Sequence, residues 1–413
     1  MVSDLMYSFQ RHSDYRIVYY NRFTNKTPDY LSTIEYDAVI FHQSVTFCAE
    51  PQRGRRRIQD FQSFLNKSKA VRAALFQDEY ICTDISVEFL NELKIDYAFT
   101  VMPQSEWNLV YGKVRKECRI VPMLTGYIED KGDRYYRAGM TKKRTIDVGY
   151  RAVWNKQLIV LGQFGYDKIR IADCLKKQLK GTDYKTDIKV GWEYILKGDK
   201  WNEFLSSCRF VLGVESGGSV LDRDGSIYKS VKKKIESDPN VSAKELYKEL
   251  IEKHDNSYKL RAISPRHFEA IEEGVCQILY EGNYSGVLTP GIHYIELKKD
   301  HSNLKEVIDM IGNETVRRRI VNNAYKDIIK SGKYTYKNFV NSFFNIIFEN
   351  GITKKNNNRL KEFMVISRAA LHEKKVVIYI RIIQSLKKFK FINKIRHTAF
   401  LKMLMRGYYS KRL

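Results

Sequence analysis

Residues Ile263-Ser-Pro-Arg-His-Phe-Glu-Ala-Ile-Glu-Glu-Gly-Val-Cys-Gln-Ile-Leu279 contain one repeat unit of an alternating fold. Pro265 suits the first position of a helix, where its missing N–H costs nothing, and Gly274 suits the left-handed residue just past the helix end. Val275 to Leu279 then form an apolar run too short for a second helix, which reads as a strand buried on both faces. A helix that feeds directly into such a strand is half of a βαβ unit, and the same alternation continues in both directions. Downstream stands Gly291-Ile-His-Tyr-Ile295. Upstream stand Gln157-Leu-Ile-Val-Leu161, Asp187-Ile-Lys-Val190 and Phe210-Val-Leu-Gly-Val214.

A second series of strand-like runs occupies the first third of the chain: Arg16-Ile-Val-Tyr-Tyr20, Tyr36-Asp-Ala-Val-Ile-Phe41, Ala73-Ala-Leu-Phe76, Tyr97-Ala-Phe-Thr-Val101 and Arg119-Ile-Val-Pro122. Two consecutive parallel α/β sheets are therefore predicted, joined near residues 145 to 156. The expected division is a Rossmann-like domain over 1–150, a second over 151–349 with a helical insertion at about 222–262, and a basic helical tail over 350–413. Residues 1–14 read as helical, where a strand and a glycine turn would ordinarily open such a domain.

The 413 residues, 43% apolar and 13% aromatic, are ample for two large cores and exclude fibrous or wholly disordered classes. Cys48, Cys82, Cys118, Cys174, Cys208 and Cys276 lie far apart with no C-x-x-C pair, which argues against a zinc cluster or a disulfide framework and for a reduced, cytoplasmic setting. Neither a secretory leader nor a membrane-spanning run is seen. The net charge of +24 calls for an anionic partner. Residues 351–413 hold 17 Lys and Arg against Glu362 and Glu373, so +15 of that charge sits in the tail. There Tyr379, Ile382, Ile383, Leu386, Phe389, Ile392, Ile395, Ala399 and Met403 recur at helical spacing, with Arg381, Lys387, Lys388, Lys394, Arg396, Lys402 and Arg406 between them. A basic amphipathic helix of this kind either packs on its own protein or lies on an anionic membrane surface, the inner face in a cytoplasmic protein, and the pattern suits both.

Four segments carry candidate chemistry. Gly162-Gln-Phe-Gly165 leads into a helix whose free amides suit an anion, with Lys168 in its first turn. Glu215-Ser216-Gly217 follows a strand, its glycines allowing close approach of a ligand and Glu215 suited to accepting hydroxyls. Asp222-Arg-Asp224 spells the D-x-D of metal-dependent transferases, although an Asp/Gly-rich turn explains it more simply. Arg266, His267 and Glu269 open the helix quoted first, where an intrahelical Arg266–Glu269 ion pair is the bland alternative. In the first half, His42, Asp78 and Glu79 stand at carboxyl ends of strands, where an open sheet binds its ligands; each is equally suited to capping. Arg151, at the expected join, reads as a residue that reaches an interdomain ligand or forms a hinge ion pair. H-E-x-x-H, G-x-S-x-G, G-x-x-x-x-G-K-[ST] and G-x-G-x-x-G are absent.

The Arg266-x-Phe268-Glu269-Ala270 helix, Gly274, the apolar strand, Gly282, Pro290-Gly-Ile-His-Tyr-Ile295 and Asp300-x-x-Asn303-Leu304 together resemble the nucleotide-binding half of GT-B glycosyltransferases, in particular the bacterial group related to spore-maturation glycosyltransferases. The resemblance covers roughly residues 155 to 340. It implies that Glu269 holds the ribose of a nucleotide-sugar donor, that basic residues near the domain's first turn hold its diphosphate, and that the glycan or lipid-linked acceptor is a cell-surface polysaccharide or glycolipid. Neither a cofactor nor a metal is expected, and nucleic acid is not an expected partner. If the sugar is inverted, Asp78, Glu79 and His42 are the available bases. One departure stands out: many retaining members carry a second Glu eight residues before the helix Glu, and here that position is Arg261. This leaves the stereochemistry open and keeps a non-catalytic scaffold in view. The competing class, a basic nucleic-acid-binding protein, fits the charge and the 28 tyrosines but lacks a recognisable module.

Overall fold

The computed structural model describes residues 2–21, 27–47, 51–129, 142–351 and 358–388, together with Arg134, Tyr136, Arg137 and Met140. The chain divides into two units, Met1–Tyr15 with Tyr36–Lys354, and Arg16–Glu35 with Lys355–Leu413.

The larger unit is α/β, with two parallel sheets. In the first, β1 (Ala38–Phe41), β2 (Val71–Phe76), β3 (Tyr97–Thr100) and β4 (Arg119–Pro122) lie side by side in chain order. Right-handed crossovers between strands laid down in one direction put every connecting helix on the same face. The helices Pro51–Leu65 and Thr83–Glu92 duly meet that face, with Phe41 edge-on to Phe61 and Phe89. The opposite face needs another cover. Helix Tyr336–Ile347 supplies it, with Phe343 on Phe99 at 4.5 Å between centroids, and Glu349 beyond it accepts from Tyr97 and pairs with Arg119. Phe9 of helix Val2–Arg11 packs edge-on to Phe343. Residues 336–349, expected in the second domain, therefore complete the first.

The second sheet has the order β11-β10-β7-β5-β6, all parallel, with β5 (Ile146–Ala152), β6 (Thr186–Val190), β7 (Cys208–Gly213), β10 (Cys276–Tyr280) and β11 (Ile295–Leu297). Two expectations are corrected here. The boundary at residue 150 falls inside β5, a central strand whose polar residues are satisfied by neighbours: Asp147 accepts from Arg209 at 2.9 Å and Arg151 donates to Asp187 at 2.5 Å. The strand expected at Gln157–Leu161 is instead a 3-10 turn, Lys156–Leu161, whose Asn155 cap accepts from Leu158 N. Ile159, Val160 and Leu161 are buried, but not in a sheet: Ile159 and Val160 pack beneath the inserted segment with Ile227, Val231, Leu246 and Ile251.

That insertion begins after the antiparallel pair β8 (Ser216–Gly218) and β9 (Leu260–Ala262) parts, and the expected capping box at Ser242 and Glu245 is present. It also fastens the two sheets' connecting loops together. Ile81 bridges Asp222, Cys82 N donates to Asp222 O at 2.7 Å, and Asp84 N donates to Arg223 O at 3.0 Å.

The smaller unit contains helix Arg359–Lys388. Residues 16–20, expected as a strand, are irregular chain outside any sheet, in this unit. Arg16 pairs with Glu362, and His372 meets both Tyr20 and the Asn21 carbonyl. Val365 and Ala369 are buried, while Leu360, Phe363 and Leu371 stay more than half exposed. The side chains of Tyr379 and of residues 381–388, and all of 389–413, lie outside the described residues; the expected apolar stripe from Tyr379 to Met403 and the basic residues Arg381 to Arg406 fall there. No helix among the described residues is long and apolar enough to cross a membrane.

Candidate functional site

The strand that starts the second sheet, β5, has β6 on one side and β7 on the other. At this reversal the crossovers leave in opposite directions and open a crevice beyond the strands' carboxyl ends. A cavity of about 240 Å³ lies there, bounded by Arg151, Lys168, Trp201, Glu215, Arg266 and His267 among others.

Helix Pro265–Glu272 points its first turn at the crevice. Ser264 caps it by accepting from Arg266 N, Gly274 takes φ 63° past its end, and Arg144 donates to the freed carbonyls of Glu273 and Gly274. Arg266 and Glu269 do not pair with each other. Arg266 donates to the Arg151 carbonyl at 2.6 Å and lies 5.2 Å over the Trp201 ring, while the Trp201 indole N–H holds Glu269 at 2.7 Å. Burial pushes the Glu269 carboxyl above its ordinary range. Trp201 belongs to helix Asp199–Ser207, and no local pattern marks it as a partner for a residue 68 positions away.

Lys168 stands in the second turn of helix Gln163–Gln178, not the first. Burial and then the nearby Arg266 lower its pKa, and Asp78 acts in the opposite sense. Asp78 follows β2 of the first sheet, so the charge on Lys168, which lines the crevice, is felt by a carboxylate from the other sheet. Its backbone has φ 85°, a left-handed value that a non-glycine residue adopts at a cost of about 1 kcal/mol or more. The side chain is open to solvent on one side, but the protein around it displaces enough water to push the carboxyl up to about 6, against the pull of Lys168.

The other candidates from the first sheet serve the fold. Glu79 is buried, accepts from the hydroxyls of Thr100 and Tyr111, and is pushed up to about 7 by burial. His42 caps the turn Gln43–Thr46 through Nδ1, accepting from Ser44 N at 3.2 Å, and burial lowers it to about 4.

Around the second sheet several expectations are revised. Gly162 has φ 67° and opens helix Gln163–Gln178, with Gly165 in its first turn, but the amide of Gln163 already donates to Asp255 at 3.0 Å. Asp255 also accepts from Ser219, Tyr247 and Asn256 N, so the chain supplies its own anion to this helix start. Arg151 is buried, bonded to Asp187 and its carbonyl, and lies over Phe204; it braces the second sheet rather than spanning two domains. His267 is a core residue between Gln277 and the Val214 carbonyl, lowered by burial to about 4. Asp222 accepts from Ile227 N and Tyr228 N, and Asp224 accepts from Ser226 N, so both D-x-D carboxylates organise a turn.

Glu215 is buried at the edge of the cavity. Its Oε1 accepts from the amides of Asn283 and Tyr284, while its Oε2 has no partner. Ser216 and Gly217 follow it in β8, where Gly217 lies opposite Arg261 of β9 at φ 128°, a value glycine alone adopts readily.

No described protein family matches the chain, and neither does any curated protein. Among solved structures it is similar to TarM (9% identity, 72% of this chain and 53% of TarM, TM-score 0.39). It is also similar to HepE from Anabaena in complex with UDP and glucose (9%, 76% and 78%, 0.40), and to an α,α-trehalose-phosphate synthase (UDP-forming) from Burkholderia vietnamiensis (8%, 74% and 78%, 0.40). The chain thus spans about half the length of TarM.

Proposed function

We propose that this chain is a glycosyltransferase that takes a sugar from a nucleotide-sugar donor, held at the second sheet, and passes it to a glycan or lipid-linked acceptor that enters beside the first. The observation that carries this reading is the switch-point crevice itself. Two cations, Lys168 and Arg266, line it with no carboxylate partner within the second sheet, and a partly desolvated carboxylate, Glu269, is held beside it by Trp201 of its wall. A carboxylate suits the paired hydroxyls of a ribose. The cations, Arg266 one helical turn from Glu269 and Lys168 on helix Gln163–Gln178, suit a diphosphate and stabilise the charge that develops on it as the sugar departs. Across the crevice Asp78, with a carboxyl near 6, is suited to taking the acceptor's proton around neutral pH. The reading needs no resident metal, since Asp222 and Asp224 spend their carboxylates on backbone amides.

The test is ligand stabilisation. A nucleoside diphosphate should raise the melting temperature of the wild-type chain, and Glu269→Ala should remain folded and lose that shift. Loss of hydrogen bonds to a charged group corresponds to about 1.5–3 kcal/mol of affinity. A folded Glu269→Ala chain that binds as well as wild type would remove the ribose assignment, and indifference of the wild type to every nucleoside diphosphate would remove the function.

A further inference from the structure

The assigned groups leave one end of the crevice unexplained. Glu269, Trp201 and Arg266 form one end, and Arg266 acts on Lys168. Lys168 lies one helical turn beyond Phe164, on the same face of helix Gln163–Gln178. Over the Phe164 ring stand two further cations, the Arg261 guanidinium at 5.3 Å and the Lys299 ammonium at 5.2 Å. Lys299 is committed to Asp167 at 2.9 Å. Arg261 is not committed: its Nε is buried without a hydrogen-bond acceptor, and Glu215, whose carboxyl feels its charge, forms no ion pair with it and carries a buried, unpartnered Oε2. A buried guanidinium donor and a buried carboxylate acceptor, both unsatisfied, each carry a desolvation penalty that a ligand presenting the complementary groups would remove.

Resting on the donor-binding reading above, we infer that Arg261 and Glu215 form the subsite for the transferred sugar, and that this sugar is acidic, a hexuronate whose carboxylate meets Arg261 while its ring hydroxyls meet Glu215. The order of groups supports the placement: ribose at Glu269, diphosphate across Arg266 and Lys168, sugar beyond them at Arg261. A neutral hexose would satisfy Glu215 and leave the guanidinium unpaired. A carboxylate suits its planar fork.

The experiment measures melting-temperature shifts with UDP, UDP-glucose and UDP-glucuronate on wild type, Arg261→Gln and Arg261→Lys; if another nucleoside diphosphate stabilises the chain better, its own hexose and hexuronate esters replace the uridine pair. Wild type should bind the hexuronate at least about tenfold more tightly than the hexose, the scale of one charge-assisted contact. Arg261→Gln should bring that preference below about twofold with the affinity for the nucleoside diphosphate unchanged, and Arg261→Lys should keep part of it. Equal affinities of wild type for the two sugars would overturn the inference while leaving the transferase reading standing. So would an Arg261→Gln chain that loses nucleoside diphosphate itself, since Arg261 would then be a diphosphate ligand. Failure of every nucleoside diphosphate to bind wild type would overturn both.

Discussion

Asp78 and Glu79 are neighbours just past the end of β2, with the same chemistry and different surroundings, and the left-handed backbone at Asp78 marks the turn between them. Asp78 feels the charge of Lys168, while Glu79 is buried in the first domain against Thr100 and Tyr111. The sequence placed both at the end of β2 but offered nothing to distinguish them, since the partners that do so lie from 21 to 90 positions away. Each carboxyl is raised above its unfolded value, so the folded state holds the proton more tightly than the unfolded state. Its stabilising effect is complete below the unfolded pKa and is lost as pH rises through the folded value. For Glu79 that window runs from about 4.5 to about 7. Glu79→Gln should therefore flatten the fall in stability between those pH values by up to about 3 kcal/mol, measured as urea midpoints at a series of pH values; an unchanged slope would show that Glu79 is not the group responsible. Asp78 has a different signature. If it takes the acceptor's proton, kcat/KM should rise through about pH 6, and Asp78→Asn should lower kcat by about 10²–10⁴ while leaving nucleoside-diphosphate affinity within about twofold. A rate profile that keeps its rise in Asp78→Asn would assign the proton transfer elsewhere.

At the scale of elements, the helix Pro265–Glu272 and strand β10 were legible because Pro, Gly and an apolar run mark their ends locally. The error at Gln157–Leu161 has an equally physical cause. Four consecutive apolar residues suit a buried strand, yet they are buried here as a 3-10 turn beneath an insertion that arrives some seventy residues later. Meanwhile β5, with Asp147 and Arg151 in it, looked like a connection because its charges find partners only once β6 and β7 lie alongside. The same non-local logic governs the start of helix Gln163–Gln178. Its exposed amide and Gly162 read as a phosphate cradle, but Asp255 fills the position, tied to Ser219 and Tyr247. Removing it should act on the fold rather than on the ligand. Asp255→Ala should cost about 2–3 kcal/mol, the value of a lost cap together with orphaned hydroxyls, and leave the affinity of the folded fraction for nucleoside diphosphates within about twofold. Loss of nucleotide binding without loss of stability would return this helix start to the ligand.

At the scale of the whole molecule the charge is divided: +15 of +24 belongs to residues 351–413, and the described part of that segment is a helix with large apolar side chains left in water. Phe363 at 67% and Leu360 at 65% exposure are costly in solution and suited to the boundary between headgroups and acyl chains, with lysines reaching the phosphates. Each Lys or Arg near an anionic leaflet contributes up to about 1 kcal/mol, so several together hold a protein reversibly without any spanning helix. Under the proposed function, an acceptor on a lipid carrier would make such attachment useful, because the chain would be confined to the surface where that acceptor lies. The full chain should co-sediment with vesicles containing phosphatidylserine at low salt, leave them as salt is raised, and ignore neutral phosphatidylcholine vesicles. Replacing Lys387, Lys388, Lys394 and Lys402 with Gln keeps the apolar stripe and removes four charges. That variant should lose most of the binding while its melting temperature and response to nucleoside diphosphate stay at the wild-type level. Vesicle binding that survives the change with the same salt dependence would show that these four lysines do not meet the lipid and that the anionic partner of the chain is met elsewhere.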